Sequence, residues 1–472
     1  MKKFVVMLLS AFIVVFLLSC SSGNVVDTED TTALQDDEPN EEIVVSEAIS
    51  ILKNGGIDTG AAGSHGGQQT RICRTDHGTY VAFVSYQEDV KYYFYIVKID
   101  DSDNVTVLHK DSCPADAALV NIAQDNNGDI YVTAFPADTT KNASPKYSWL
   151  AMYIINQEDD GITEIKAGPR FMNSGDFGYA MPMFDFENRK IYAIYSGIGN
   201  PGKLSWFTYN IDTGSWQDNC ITTVLEDMAH TYFYCFPDGN GGALIVGERD
   251  ISVDMMPELK IESGTPVYAN YLWDKLDLFI IPDMTKGICR MVNIQEADYS
   301  RADEGIAPIN QNNQNGDVFI DSNGLLHVIY ISYLADYDIA DGVVTHGETR
   351  HAIYSDGECI YNEVMKLNNE DLYYYLRMAE NSDGELVLIS IPISTEEHLE
   401  IYKAADSMGK EWTLIKNERL NWFEDFNVSS FSISCPRNNS LYDGTVDCLA
   451  FGYYYKDSEY CTDLYKFSVT LD

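Results

Sequence analysis

Basic residues are scarce in this chain. Its 472 residues hold 31 Lys and Arg against 73 Asp and Glu, a formal charge of −42. A surface that negative repels nucleic acid and anionic lipid headgroups, so no nucleic-acid partner is expected. It also repels polyanionic glycans at long range, although salt screens that repulsion beyond roughly 8 Å. Closely spaced cysteine pairs are missing too. After Cys20, nine cysteines remain, at 73, 113, 220, 235, 289, 359, 435, 448 and 461. None forms a C-x-x-C pair, so neither a zinc site nor a dithiol redox centre is supported. Several, such as Cys235 and Cys289, fall inside apolar strand patterns and read as small buried residues. A disulfide between Cys448 and Cys461 is one pairing open to the C-terminal region. There is no nucleotide-binding glycine motif, no H-E-x-x-H zinc helix and no nucleophile elbow. No cofactor and no metal is expected.

Aromatic side chains are plentiful: 12% of the chain, with 32 Tyr. Tyrosine favours strands, and in an open site its ring stacks on sugar or base faces. The length permits two or three domains or one large β domain.

The N-terminus carries an address. Lys2 and Lys3 precede an apolar run from Phe4 to Leu18, and the stretch ends in Leu17-Leu18-Ser19-Cys20. The charge order and short apolar run are those of a signal peptide over 1–19. The last four residues resemble the bacterial lipobox, in which the cysteine is diacylated and becomes the first mature residue. The resemblance implies an envelope lipoprotein anchored at Cys20, facing the periplasm or the cell exterior, that meets the membrane only through its acyl chains. Ordinary cleavage to a soluble protein is the alternative. A tether over 20–41 follows. Between Ser21 and Glu42 stand eight acids (Asp27, Glu29, Asp30, Asp36, Asp37, Glu38, Glu41, Glu42) and no base. Such a segment cannot offset the entropy of ordering, and its like charges extend it.

From residue 42 to 472 one pattern recurs: a turn of Asp, Asn and Gly, then an alternating run of β-branched, Tyr and small residues. Its seven copies are RTDHGTYVAFVS (Arg74–Ser85), AQDNNGDIYVTAF (Ala123–Phe135), DFENRKIYAIYSG (Asp185–Gly197), FPDGNGGALIVGE (Phe236–Glu248), DSNGLLHVIYIS (Asp321–Ser332), ENSDGELVLISI (Glu380–Ile391) and NNSLYDGTVDCLAFGY (Asn438–Tyr453). The turn glycine or its stand-in falls at 78, 128, 188, 241, 324, 384 and 444. The turns do not follow the spacing of a calcium-binding EF loop. Their Asp and Asn read as groups that cap their own backbone, with Gly supplying positive φ. A second hairpin follows each of the first six copies, as in YYFYIVKIDDSDNVTVL (Tyr92–Leu108) and WFTYNIDTGSWQ (Trp206–Gln217).

Two hairpins make four antiparallel strands. Seven such units predict an all-β, seven-bladed β-propeller, with a six-bladed sialidase-like ring as the alternative. The seventh unit is one strand short. The apolar segment Glu42–Leu52 is the natural strand to close it and remove an exposed edge. The polar run from Gln295 to Asn315 reads as a long loop. His327 alternates within a strand and reads as packed.

The stretch SHGGQQTRICRTDHGTYVAF (Ser64–Phe83) resembles the opening of BNR-repeat, sialidase-like propeller proteins. There an R-I-P motif precedes a G-T-L-L-A-F strand, and here Arg71-Ile72-Cys73 precedes Gly78–Phe83. Cys73 replaces the Pro, the S-x-D-x-G-x-T-W box is reduced to D-x-x-G, and only Arg71 matches the family's three carboxylate-binding arginines. Seven-bladed polysaccharide lyases and glycosidases are similar in the same way. The resemblance implies a site of His, Tyr and Arg where the chain enters the innermost strands. On that basis His65 and His230 are the acid–base candidates, with Tyr232 assisting. Gln68, Gln69, Arg71, Tyr179, Asn310, Asn312, Tyr374 and Arg377 are ligand-binding candidates, Arg71 or Arg377 as an anion clamp. The expected function is binding of a glycan or another extracellular ligand by a monomer. A carbohydrate-active enzyme and a scaffold for envelope proteins are the alternatives.

Overall fold

Strands bury most where they have a neighbouring sheet on both faces, and that gradient organises the molecule. In a computed structural model the described residues are 43–52, 70–87, 91–113, 120–134, 147–165, 170–172, 177–197, 202–225, 230–252, 271–296, 306–311, 316–336, 344–367, 373–392, 398–420, 427–434, 439–456 and 459–472. The leader and tether expected over 1–41 lie outside them. All regular structure among the described residues is β.

Two short strands open the order, β1 (Val44–Val45) and β2 (Ile49–Leu52). Blade 1 is β3 (Ile72–Thr75), β4 (Gly78–Gln87), β5 (Lys91–Ile99) and β6 (Val105–Cys113). Blade 2 is β7 (Asn121–Gln124), β8 (Ile130–Ala134), β10 (Ala151–Asn156) and β11 (Gly161–Ile165), with a side ribbon of β9 (Tyr147–Trp149) and β12 (Arg170–Met172). Blade 3 is β13 (Phe177–Asp185), β14 (Lys190–Gly197) and β15 (Lys203–Asn210), its rim shared by β16 (Ser215–Trp216) and β17 (Ile221–Val224). Blade 4 is β18 (His230–Pro237), β19 (Ala243–Ser252), β20 (Tyr271–Ile281) and β21 (Arg290–Glu296). Blade 5 has a split first strand, β22 (Ile306–Gln311) and β23 (Asp317–Ile320), then β24 (Leu326–Asp336), β25 (Val344–Ser355) and β26 (Glu358–Val364). Blade 6 is β27 (Tyr373–Glu380), β28 (Leu386–Pro392), β29 (His398–Ala404) and β30 (Trp412–Arg419). Blade 7 is β31 (Asn427–Ile433), β32 (Thr445–Lys456) and β33 (Glu459–Thr470).

The seven-bladed ring is therefore present, and the six-bladed alternative is set aside. The N-terminal segment completes blade 7: Val44 lies opposite Thr470 on β33, and Ile49 opposite Lys466. Each of the seven seams between neighbouring blades holds its own apolar cluster. Ile43, Val45 and Ala48 pack on the cluster between blades 6 and 7. Second strands are sandwiched on both faces, so every residue of β28 is buried. Rim strands alternate, as β30 does.

The turns between first and second strands behave as the repeat predicts. Asp125 Oδ1 accepts from the backbone N–H of Asn127 at 2.8 Å and Asp129 at 3.0 Å. Asp238, Asp321 and Asn381 repeat this two-on and four-on pattern. In blade 3 the left-handed residue is Arg189, φ 51°, one place beyond the expected 188.

Two expectations are corrected. The run 295–315 is not one loop, because β22 lies within it and pairs with the far half of β24. Cys448 and Cys461 are not joined. They lie opposite Phe467 and Tyr454 across the same hairpin, too far apart along it to be bonded to each other.

Candidate functional site

The first strands of the blades face the central channel, and a chain of hydrogen bonds passes between them. Tyr234 Oη in blade 4 donates to the Gly316 carbonyl of blade 5 at 3.3 Å. Arg377 Nη1 in blade 6 donates to that same carbonyl at 2.7 Å, and its Nε donates to the Phe431 carbonyl of blade 7 at 2.8 Å. Arg71 Nη1, at the start of blade 1, donates to Ser430 Oγ at 3.2 Å. The Thr70 N–H donates to Asn121 Oδ1 in blade 2 at 3.0 Å. The network spans blades 4, 5, 6, 7, 1 and 2.

Arg71 and Arg377 are buried, and the structure brings them within electrostatic reach of one another. Burial, and secondly the Arg377 charge, push the Arg71 guanidinium down to about 10. Loss of water and a neighbouring like charge both disfavour a charged guanidinium.

Beside this network, Thr70, Asn121, Met181, Phe184, Tyr234 and Phe236 border a small cavity of about 40 Å³. Asn121 Nδ2 is buried there without a hydrogen-bond partner among the described residues. The volume suits a few waters, not a sugar ring.

The mouth end of the first strands is irregular in blade after blade. Pairing with the second strand shifts register between Gly178 and Met181, between Thr231 and Tyr234, between Tyr373 and Tyr375, and between Val428 and Ser430. In blade 5 the first strand breaks outright between β22 and β23. Tyr179, Tyr232 and Tyr374 all fall within these shifts. Tyr232 is also held at φ 53°, a left-handed conformation strained for a bulky residue, and its side chain is buried. Asn310 lies on β22 opposite Ser332. His65, Gln68, Gln69 and Asn312 fall outside the described residues.

His230 begins β18 and is fully buried. Its ring does not open to the channel mouth. It packs edge-on against Phe279 of the blade 3–4 cluster at 4.9 Å. Nε2 lies 2.7 Å from Asp277 Oδ2, whose other oxygen accepts from Asn293 Nδ2 at 3.0 Å. Nδ1 is buried without a hydrogen-bond partner among the described residues. A carboxylate at one ring nitrogen fixes the ring and, in the neutral form, leaves the other as a lone-pair acceptor. His327 is buried, as its place in the strand alternation predicts.

Sequence reasoning missed Asp277, Asn293 and the fully buried Glu248. A signal for Asp277 was present: a carboxylate inside the apolar run YLWDKLDLFII. Buried charges are held by partners, so an acid at a core position points to one.

No protein-family model matches the chain, and no curated protein matches it in sequence. Solved structures do match in shape. A polysaccharide lyase, Uly1, superposes with a TM-score of 0.56 at 10% identity, covering 92% of this chain and 99% of its own. A polysaccharide lyase described as a PL25 ulvan lyase superposes with a TM-score of 0.53 at 9% identity, covering 89% of this chain and 95% of its own. At that identity the likeness shows the fold.

Proposed function

We propose that this protein is a carbohydrate-handling propeller that binds a glycan at the mouth of its central channel. The observation that carries the reading is the repeated interruption of the first strands at that mouth. Four of them shift register there and a fifth is split. Bulges re-aim side chains and concentrate beside active sites. In a ring they gather residues from several blades around one axis, and three of these carry the candidate tyrosines 179, 232 and 374. Tyrosines and amides suit sugar rings and hydroxyls.

The enzymatic form of this reading is a polysaccharide lyase. Two solved structures that superpose over nearly the whole chain are polysaccharide lyases. Arg71 or Arg377 is the anion clamp for the uronate carboxylate in this reading. In such an elimination a base takes the proton from C5 beside the carboxylate. The C4–C5 double bond forms, the C4–O bond breaks, and an acid protonates the leaving oxygen. Guanidinium groups steady the charge that develops on the carboxylate. His65 is the base in this scheme and Tyr232 the acid, with the buried His230, held by Asp277, as a positioning residue behind them.

The chain is also read as an envelope lipoprotein anchored at Cys20, with 20–41 holding a monomeric propeller away from the lipid. Loss of acyl labelling in Cys20→Ser is the expected result.

Passing the protein over immobilised neutral and uronate-bearing glycans, while following ultraviolet absorbance of the unsaturated product, tests the function. Retention with turnover that disappears in His65→Ala or His230→Ala supports the lyase. Retention with no turnover supports a binding module. Retention of no sugar sinks the proposal and leaves the scaffold.

A further inference from the structure

Round the channel axis, hydrogen bonds link the blades from Tyr234 of blade 4, through Gly316, Arg377, Phe431, Ser430 and Arg71, to Asn121 of blade 2. The small cavity lies where this belt stops. Thr70 and Asn121 border it on one side, and Tyr234, Cys235 and Phe236 on the other. Blade 3, in between, meets it with Met181, Pro182 and Phe184. Their side chains donate no hydrogen bond, and Pro182 lacks an N–H as well.

The Asn121 amide is oriented by its neighbour. The Thr70 N–H can only donate, so the atom it meets at 3.0 Å is the oxygen. The NH2 end is left for the cavity. Asn121 is 2% exposed, and its Nδ2 has no hydrogen-bond partner among the described residues. Leaving a buried amide hydrogen bare costs more than immobilising a water to meet it. A cavity with a polar wall and room enough takes water, whereas a purely apolar one stays dry. The space here is about 40 Å³. One water needs roughly 10–15 Å³ of it, so about two or three can enter.

Water also needs acceptors, and the walls supply them. The Tyr234 hydroxyl gives its hydrogen to Gly316, so its oxygen can accept. The Thr70 carbonyl takes the Ile122 N–H at 2.8 Å on one of its two lone pairs.

We propose that this cavity is a structural water site. About two or three ordered waters accept the Asn121 Nδ2–H bond on one side, donate toward Tyr234 on the other, and carry the hydrogen-bonded belt past blade 3. A halide ion is the competing occupant, since an amide N–H also serves an anion. The acceptors decide against it: an anion would face the lone pairs of the Tyr234 oxygen and the Thr70 carbonyl, whereas water can donate to both. The site is independent of what binds at the mouth.

The test is oxygen-17 magnetic relaxation dispersion on the full chain, which counts waters held for longer than the protein takes to tumble. Asn121→Leu replaces the amide by an apolar group of similar size. It should lose about two or three of the long-lived waters counted in the native chain. An unchanged count overturns the proposal. If the variant does not fold, a high-resolution crystal structure of the native chain, soaked in sodium bromide, decides the matter. Water density about 3 Å from Asn121 Nδ2 and continuing toward Tyr234 supports the site. An anomalous bromide peak in the cavity makes it an anion site, and a cavity without density is dry; either result refutes the proposal.

Discussion

At the turn end of the blades, polar side chains bond to their own backbone. Asp125, Asp238, Asp321 and Asn381 each accept from N–H groups two and four residues on. Toward the mouth, polar side chains reach across blades. Arg71 bonds to a residue 359 positions away, and Arg377 to carbonyls 54 and 61 positions away. The turn end rests first on such local bonds, with ties to the next blade such as Ser322 N–H to Glu380 Oε2 at 2.8 Å. The channel groups reach these distant partners only when neighbouring blades pack together. A fold can carry strained and irregular backbone at one end because regular, locally satisfied turns hold the other.

If that contrast is right, the largest loss should come from the channel. Arg377→Leu removes the donor to Phe431 and one of two donors to Gly316, and it unlinks blades 5, 6 and 7. Stability should fall by about 3 kcal/mol or more, because the Phe431 carbonyl loses this donor and the tie between three blades goes with it. Urea unfolding measures it, and a loss under about 1 kcal/mol would mean that the cross-blade bonds do not distinguish the two ends. Next comes a turn position where backbone leaves no room. At Gly78, φ +116°, a Cβ would lie 2.5 Å from the Ile99 carbonyl oxygen. Gly78→Ala should cost about 1–3 kcal/mol through backbone strain. A thermal midpoint equal to the native chain's would show that the turn relaxes.

A smaller effect is expected at a single cap. Asp238→Ala leaves the N–H groups of Asn240 and Gly242 to water, costing about 1 kcal/mol. Exchange should rise in that hairpin alone, and loss of protection at a distant seam would contradict the independence of the turn end. The smallest effect belongs to the surface pair of Arg189 and Asp212, where Asp212 is 62% exposed. Asp212→Asn should leave the thermal midpoint unchanged, since solvent and salt screen such a pair.

These differences mark what could be read in advance. The seven turns are local, and so was their recognition, down to the capping role of Asp125 and Asp238. Closure by the N-terminal segment was legible because one unit lacked a strand. His230 was singled out by residue type, but its direction was not foreseen. Whether a strand residue faces a channel or a seam depends on register, and a bulge resets register without a clear mark in sequence. Asp277, a carboxylate in an apolar run, was a visible anomaly whose partner lay 47 residues away.

Composition and repetition alone determined an acidic chain of seven β units joined into a ring. Local propensity, turn chemistry and hydrophobic alternation act over a few residues, and repetition amplifies them. Only the tertiary structure decided which polar groups meet: Arg71 with Ser430, Arg377 with two neighbouring blades, His351 with Gly409. Those pairings join residues far apart in the chain. The sequence names each partner but not the pairing, because only packing of the whole ring brings them within bonding distance.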